Sequence, residues 1–162
     1  MSIGDVAAEA GVSKALVHYH FVDKDSLLAQ LVDDVGGRVV ARARDRAALE
    51  QSARPLDAYW AWVEAELREG DVRVLVSLAD SDSEAARVAS LRIAEERRLL
   101  AAAQVEVIFR RLAVNPRMPS GLVAETLLAF IDGLACRQAL GAVREPRAAF
   151  DILWLALLTL AE

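Results

Sequence analysis

The sequence predicts an all-α protein. Apolar residues recur at helical spacing in nearly every segment, strand alternation is absent, and turn residues are few. Those turn residues divide the 162 residues into about eight helices, with no internal repeat or low-complexity tract.

The first helix is expected from about Ile3 to Ala10. Ser2, with Asp5 three residues on, makes a capping-box-like start, and Ile3, Val6, Ala7 and Ala10 form the buried face. Gly11 suits a left-handed residue that ends the helix and turns the chain, and Val12 can plug beneath that turn. Ser13 is a good N-cap for a second helix, about Lys14 to His20. Asp23 caps a third, with Asp25 in its first turn favouring the helix dipole and an apolar stripe of Leu27, Leu28, Leu31, Val32 and Val35. Two short helices joined by a tight glycine turn fit the helix-turn-helix motif. The second helix of such a motif normally lies in the DNA major groove.

Beyond it, Gly36-Gly37 lies inside the long third helix. Close packing or a kink explains the pair; the sharper expectation is a hinge. "RVVARARDR" extends that helix with Arg38, Arg42, Arg44 and Arg46, read as a solvated basic face or as a strip flanking DNA. "LDAYWAWVEAEL" carries Tyr59, Trp60, Trp62 and Val63. Trp60 and Trp62 point to different sides, so one of them lines a cavity or meets an interface. "VAETLLAFIDGLACRQALG" sets Leu127, Leu128, Ile131 and Leu134 at helical spacing among small Ala129, Gly133 and Ala135. The last helix, from Phe150 to Leu160 with Leu153, Trp154 and Leu157, is apolar nearly all round and must be covered on more than one side. Its cover is a second molecule in a two-fold four-helix bundle, or else the rest of the chain.

Composition narrows the function classes. Hydrophobic residues make up 55% and charged residues 27%, so the chain is not disordered. The net charge of −5 excludes a wholly basic nucleic-acid coat and leaves room for a local DNA-facing patch. One cysteine, Cys136, allows no internal disulfide and fits a reducing, cytoplasmic setting. It reads as a small buried residue rather than a reactive thiol. No signal peptide is visible, and the most apolar run, about 14 residues, falls short of the ~20 that span a membrane. No phosphate loop, metal-spaced histidine pair or nucleophile motif appears, so neither enzyme activity nor a cofactor is expected. His18 and His20, the only histidines, are two apart and diverge around a helix, against a shared metal. A DNA contact or a surface role remains for them.

"IGDVAAEAGVSKALVHYHFVDKDSLL" resembles the DNA-binding region of the tetracycline-repressor (TetR) family of bacterial transcription regulators. The likeness is dense over residues 3 to 28, and "LLAFIDGLA" resembles the family's penultimate helix. It implies a helix-turn-helix DNA-binding domain at 1–35 and a helical ligand-binding and dimerisation domain at 36–162. Ser13, Lys14, Ala15, Leu16, His18 and Tyr19 would lie on the recognition helix; Tyr19, His20, Lys24 and Ser2 would reach phosphate. Lys14 and Lys24 are the only lysines beside 17 arginines. Alanine at 15 and histidine at 18 depart from the family's usual residues and bear on which base pairs are read. The family's first helix is absent before residue 1, so the face of Ile3, Val6 and Val17 should be exposed. A misassigned start, a truncation and a natural short form all fit that absence.

The function implied is a homodimeric regulator, most often a repressor, on a pseudo-palindromic operator. A partly apolar small molecule would bind among the helices of residues 55 to 140, with Tyr59, Trp60 and Trp62 as pocket residues. Leu127, Leu128, Ile131, Leu134, Phe150, Leu153, Trp154 and Leu157 are the expected dimer interface. The alternative is a helical ligand-binding or dimerising protein that does not bind DNA.

Overall fold

The computed structural model describes residues 2–160; the outermost residues of the two expected domains, 1, 161 and 162, lie outside these. Nine helices run through the described residues: α1 (Ile3–Glu9), α2 (Lys14–His20), α3 (Lys24–Arg44), α4 (Ala47–Gln51), α5 (Pro55–Glu69), α6 (Asp71–Ala79), α7 (Glu84–Leu112), α8 (Ser120–Ala139) and α9 (Pro146–Thr159). The one not legible in the sequence is α4, too short to show a period.

The helix starts follow from their caps. Ser2 and Asp23 each form reciprocal capping boxes, with Asp5 and Ser26, and Ser13 caps α2 through Leu16 N–H at 3.1 Å. Gly11 takes φ +66° between α1 and α2, a region that L side chains avoid. Gly70, at φ +79°, separates α5 from α6 without an intervening loop.

The core lies around α3 and α7, the most extensively packed pair, with α8 against α7 and α6 against both α3 and α7. Val32, Val35, Val39, Ile93, Val105 and Ile108 are buried there. Gly36 explains how closely the two helices approach: a Cβ at this position would lie 2.6 Å from Ile93 Cγ1. Gly37 faces solvent, with no atom within 4 Å of a Cβ. The pair therefore sits in an unbroken helix and Gly36 answers to packing. The 35/36 boundary expected between two domains falls inside that same helix.

The long arginine-rich stretch is exposed at Arg38 and Arg44 and is also ion-paired. Arg42 binds both oxygens of the buried Glu66 and also Asp71 (2.9 Å), while Arg38 grips Asp71 in a bidentate pair (3.2 and 2.8 Å). Arg44 pairs with Glu96. These ion pairs tie α3 to α5, α6 and α7. Arg46 is not on α3 at all; it precedes α4 as its N-cap.

Aromatic rings seat α9. Phe150 and Trp154 are buried against Tyr59, Trp60 and Phe109 with ring centroids 5.1–6.1 Å apart. The guanidinium of Arg147 lies 5.8 Å over Trp60 and 5.7 Å over Phe150 and is ion-paired to Asp57 and Asp151.

Candidate nucleic-acid interface and effector cavity

The packing of α2 on α1 buries Val17 and leaves the rest of α2 outward. Ser13, Lys14, Ala15, Leu16, His18, Tyr19 and His20 are all exposed, as is Lys24 at the first position of α3. Tyr19 is the extreme case at 83% exposed, its ring edge-on to His20 at 5.1 Å. One end of the molecule thus gathers these eight predicted residues.

Three details differ from expectation. Val17 is buried, covered by α1, and Ile3 and Val6 are half-buried rather than bare. Val12 does not plug the turn; it is 38% exposed, and its backbone N–H closes the turn on Ala7 O. Ser2 is exposed, but its backbone N–H donates to the Asp5 carboxylate at 2.7 Å. Those hydrogen bonds from Ser2 hold the Asp5 carboxyl below its usual range, so a negative charge stands beside Ser2 and opposes a phosphate there.

Electrostatics add a finding that spacing did not show. Residues 1–35 hold six carboxylates against two lysines and no arginine. Lys14 and Lys24 are the only lysine or arginine side chains of this segment.

A second feature is a cavity of about 320 Å³ between α3, α4, α5 and α7. Tyr59 and Trp62, stacked at 5.4 Å and 25°, wall it together with Leu49, Ala58, Ala61 and Ala65. Its polar edge carries Arg42, Asp45, Arg46, Glu66 and Gln104. Tyr59 and Trp62 thus come together at this cavity and Trp60 does not: it packs on Phe150 under Arg147. Tyr59 Oη and Trp62 Nε1 are buried without a hydrogen-bond partner among the described residues. Burial pushes the Tyr59 hydroxyl pKa up, so it stays protonated. Sequence reasoning missed Arg42, Arg46, Glu66 and Gln104, which arrive from separate helices.

The residues expected at a dimer interface need correction. Leu127, Ile131, Leu134, Phe150, Trp154 and Leu157 are buried within their own chain, where they complete the core; Leu128 and Leu153 are half-buried at its edge. The apolar surface that α8 and α9 leave uncovered is a different stripe, with Leu122, Ile152 and Leu155 at 51%, 69% and 66% exposure. Cys136 is half-buried.

Among the described residues, no group of three or more His, Cys, Asp or Glu side chains is placed to hold a metal ion, and no helix is long and apolar enough to cross a membrane.

A short capped helix, a glycine turn and an outward-facing second helix, set on a body that is all-helical among the described residues, have the form of a helix-turn-helix DNA-binding unit. Residues 1–31 match the family model of the bacterial regulatory proteins of the tetR family. Over those residues the chain carries a DNA-binding region similar to that of the tetR family. Its fold is similar to that of a protein of Pseudomonas aeruginosa PAO1 designated a transcriptional regulator, with TM-score 0.69, 26% identity, and coverage of 96% of this chain and 77% of that one. It is also similar to a protein of Rhodococcus sp. designated a TetR-family regulator, with TM-score 0.68, 22% identity, and coverage of 99% and 87%. No curated protein matches the chain in sequence.

Proposed function

We propose that this protein is a ligand-responsive repressor of the bacterial cytoplasm that binds a pseudo-palindromic operator as a homodimer. The observation that carries the reading is the outward face of α2, lying within the matched residues 1–31. Ala15, Leu16 and His18 would meet base edges, with Ser13, Lys14, Tyr19, His20 and Lys24 on phosphates and Ser2 a weaker candidate because of Asp5. Two such helices would enter successive major grooves about 34–36 Å apart.

Pairing would use the stripe of α8 at Leu122, Thr126, Ala129 and Gly133 and that of α9 at Ile152, Leu155 and Ala156, all exposed. Four helices, two from each chain, would close the bundle. The effector would occupy the cavity between α3 and α5. Arg42 lines that cavity and stands on α3, the helix that begins at Lys24, so a shift there reaches the DNA-facing end directly. A coupling of ~1–3 kcal/mol suffices for a 5- to 150-fold change in DNA affinity.

The excess of carboxylates in residues 1–35 favours a second reading, a ligand-binding or dimerising protein without DNA binding. Fluorescence anisotropy of labelled duplex from the DNA flanking the gene, against a random duplex, separates the two. Selective binding supports the regulator. Equal, weak binding to both duplexes supports the second reading.

A further inference from the structure

We propose that the cavity between α3 and α5 takes a small apolar acid, with its carboxylate held by Arg46; this rests on the effector site proposed above. The argument is one of free valences. Arg46 is half-buried at the cavity edge and forms no ion pair among the described residues, unlike Arg38, Arg42 and Arg44 on the same stretch. An arginine fork matches a carboxylate in geometry as well as charge.

The buried carboxylate beside it is engaged, both Glu66 oxygens being held by Arg42. Asp45 stands at the exposed rim, where its Oδ1 accepts from Ala47 N–H at 3.2 Å. Inside the cavity a cationic ligand would have to displace Arg42 from Glu66, and otherwise would meet only Asp45 at the exposed rim. The site therefore asks for an anionic oxygen at Arg46 and an apolar body against Leu49 and the stacked rings. A volume of about 320 Å³ stands at the small end of the range for ligand pockets, which limits the acid to one or two rings or a short chain.

The test is calorimetric titration of the full chain with phenylacetate, phenylacetamide and phenethylamine, three probes of similar shape and different charge. The acid is expected to bind about tenfold or more tightly than the amide, as a charged hydrogen-bonded pair does over a neutral one. Arg46→Gln should remove most of that preference and leave amide affinity within about twofold. Equal affinity of acid and amide, stronger binding of the amine, an acid preference that survives in Arg46→Gln, or no heat from any probe would overturn the proposal. An unchanged melting curve of the variant establishes that it is folded. Preference for the acid that depends on Arg46 supports the proposal whether or not the chain selects a DNA sequence. Absence of the preference in the parent chain overturns it even where DNA selection stands.

Discussion

Gly36 and Gly37 are adjacent residues of one helix, and alanine substitution should move stability in opposite directions. Each substitution gains about 1 kcal/mol of helix propensity. At Gly37 nothing opposes the gain, because no atom lies within 4 Å of the added Cβ. At Gly36 the Cβ would meet three atoms of Ile93, at 2.6, 2.7 and 2.9 Å. Ile93 is β-branched and buried at 3% exposure, so it cannot swing away as the end of a long side chain would. Overpacking of this kind costs about 1–3 kcal/mol. The difference between the two variants cancels propensity and isolates that cost. For a chain of this size it corresponds to a gap in melting temperature of ~2–12 °C, measured at equal protein concentration because association shifts the midpoint. Ile93→Ala is destabilising by itself, but adding Gly36→Ala to it should then be neutral or favourable, closing a double-mutant cycle. Equal stabilisation by the two glycine substitutions would refute the packing account and return the pair to a hinge.

Three other outcomes are expected. With two lysines per chain, four phosphates per dimer give a salt slope of about −4 on a log–log plot, and Lys14→Gln or Lys24→Gln should each flatten it by roughly 2 per dimer; anisotropy at several salt concentrations reads this. Hydrogen bonds from Arg38, then Arg42, hold the Asp71 carboxyl below its usual range, so its contribution to stability is full above an ordinary aspartate pKa of ~3.9 and fades as pH falls through the lower folded value. Asp71→Asn should therefore be less stable than the parent at pH 7, with the gap in urea midpoint narrowing below about pH 4. Leu155→Glu, on the uncovered face of α9, should halve the mass seen by light scattering with little change in helicity, whereas Leu127→Ala, in the core, should cost about 2–5 kcal/mol in denaturant unfolding.

Local rules carried the sequence reading far at the N-terminal end. Ser2, Ser13, Asp23 and Gly11 each act through neighbours within four residues, so their roles were written in short range. The exposed positions of α2 followed from the same frame. Pairings across long separations were not visible: Arg42 meets Glu66 from 24 residues away and Asp71 from 29, and alternating arginines look alike whether solvated or paired. The unpaired Arg46 could be told from its neighbours only once α3 was seen to end at Arg44. In α8 and α9 periodicity found apolar stripes but not which of them the chain keeps for itself. An almost wholly apolar helix presents a stripe in every direction, and the buried aromatic seat of Tyr59, Trp60 and Phe109 decides that Phe150 and Trp154 turn inward.

The distribution of lysine has a practical side. Both stand exposed at the first positions of α2 and α3, and every other cationic side chain is an arginine. Amine-directed chemistry therefore reaches this protein at one end only, apart from the chain's own α-amino group. A biotin or dye introduced through an activated ester lands on the surface proposed to meet DNA, and coupling to an amine-reactive sensor chip would turn that surface toward the matrix. Tethering through Cys136, or leaving the protein free and anchoring the duplex, keeps it open. The same confinement makes acylation a footprint, since a bound duplex would shield the two side chains whose modification a mass spectrum can count.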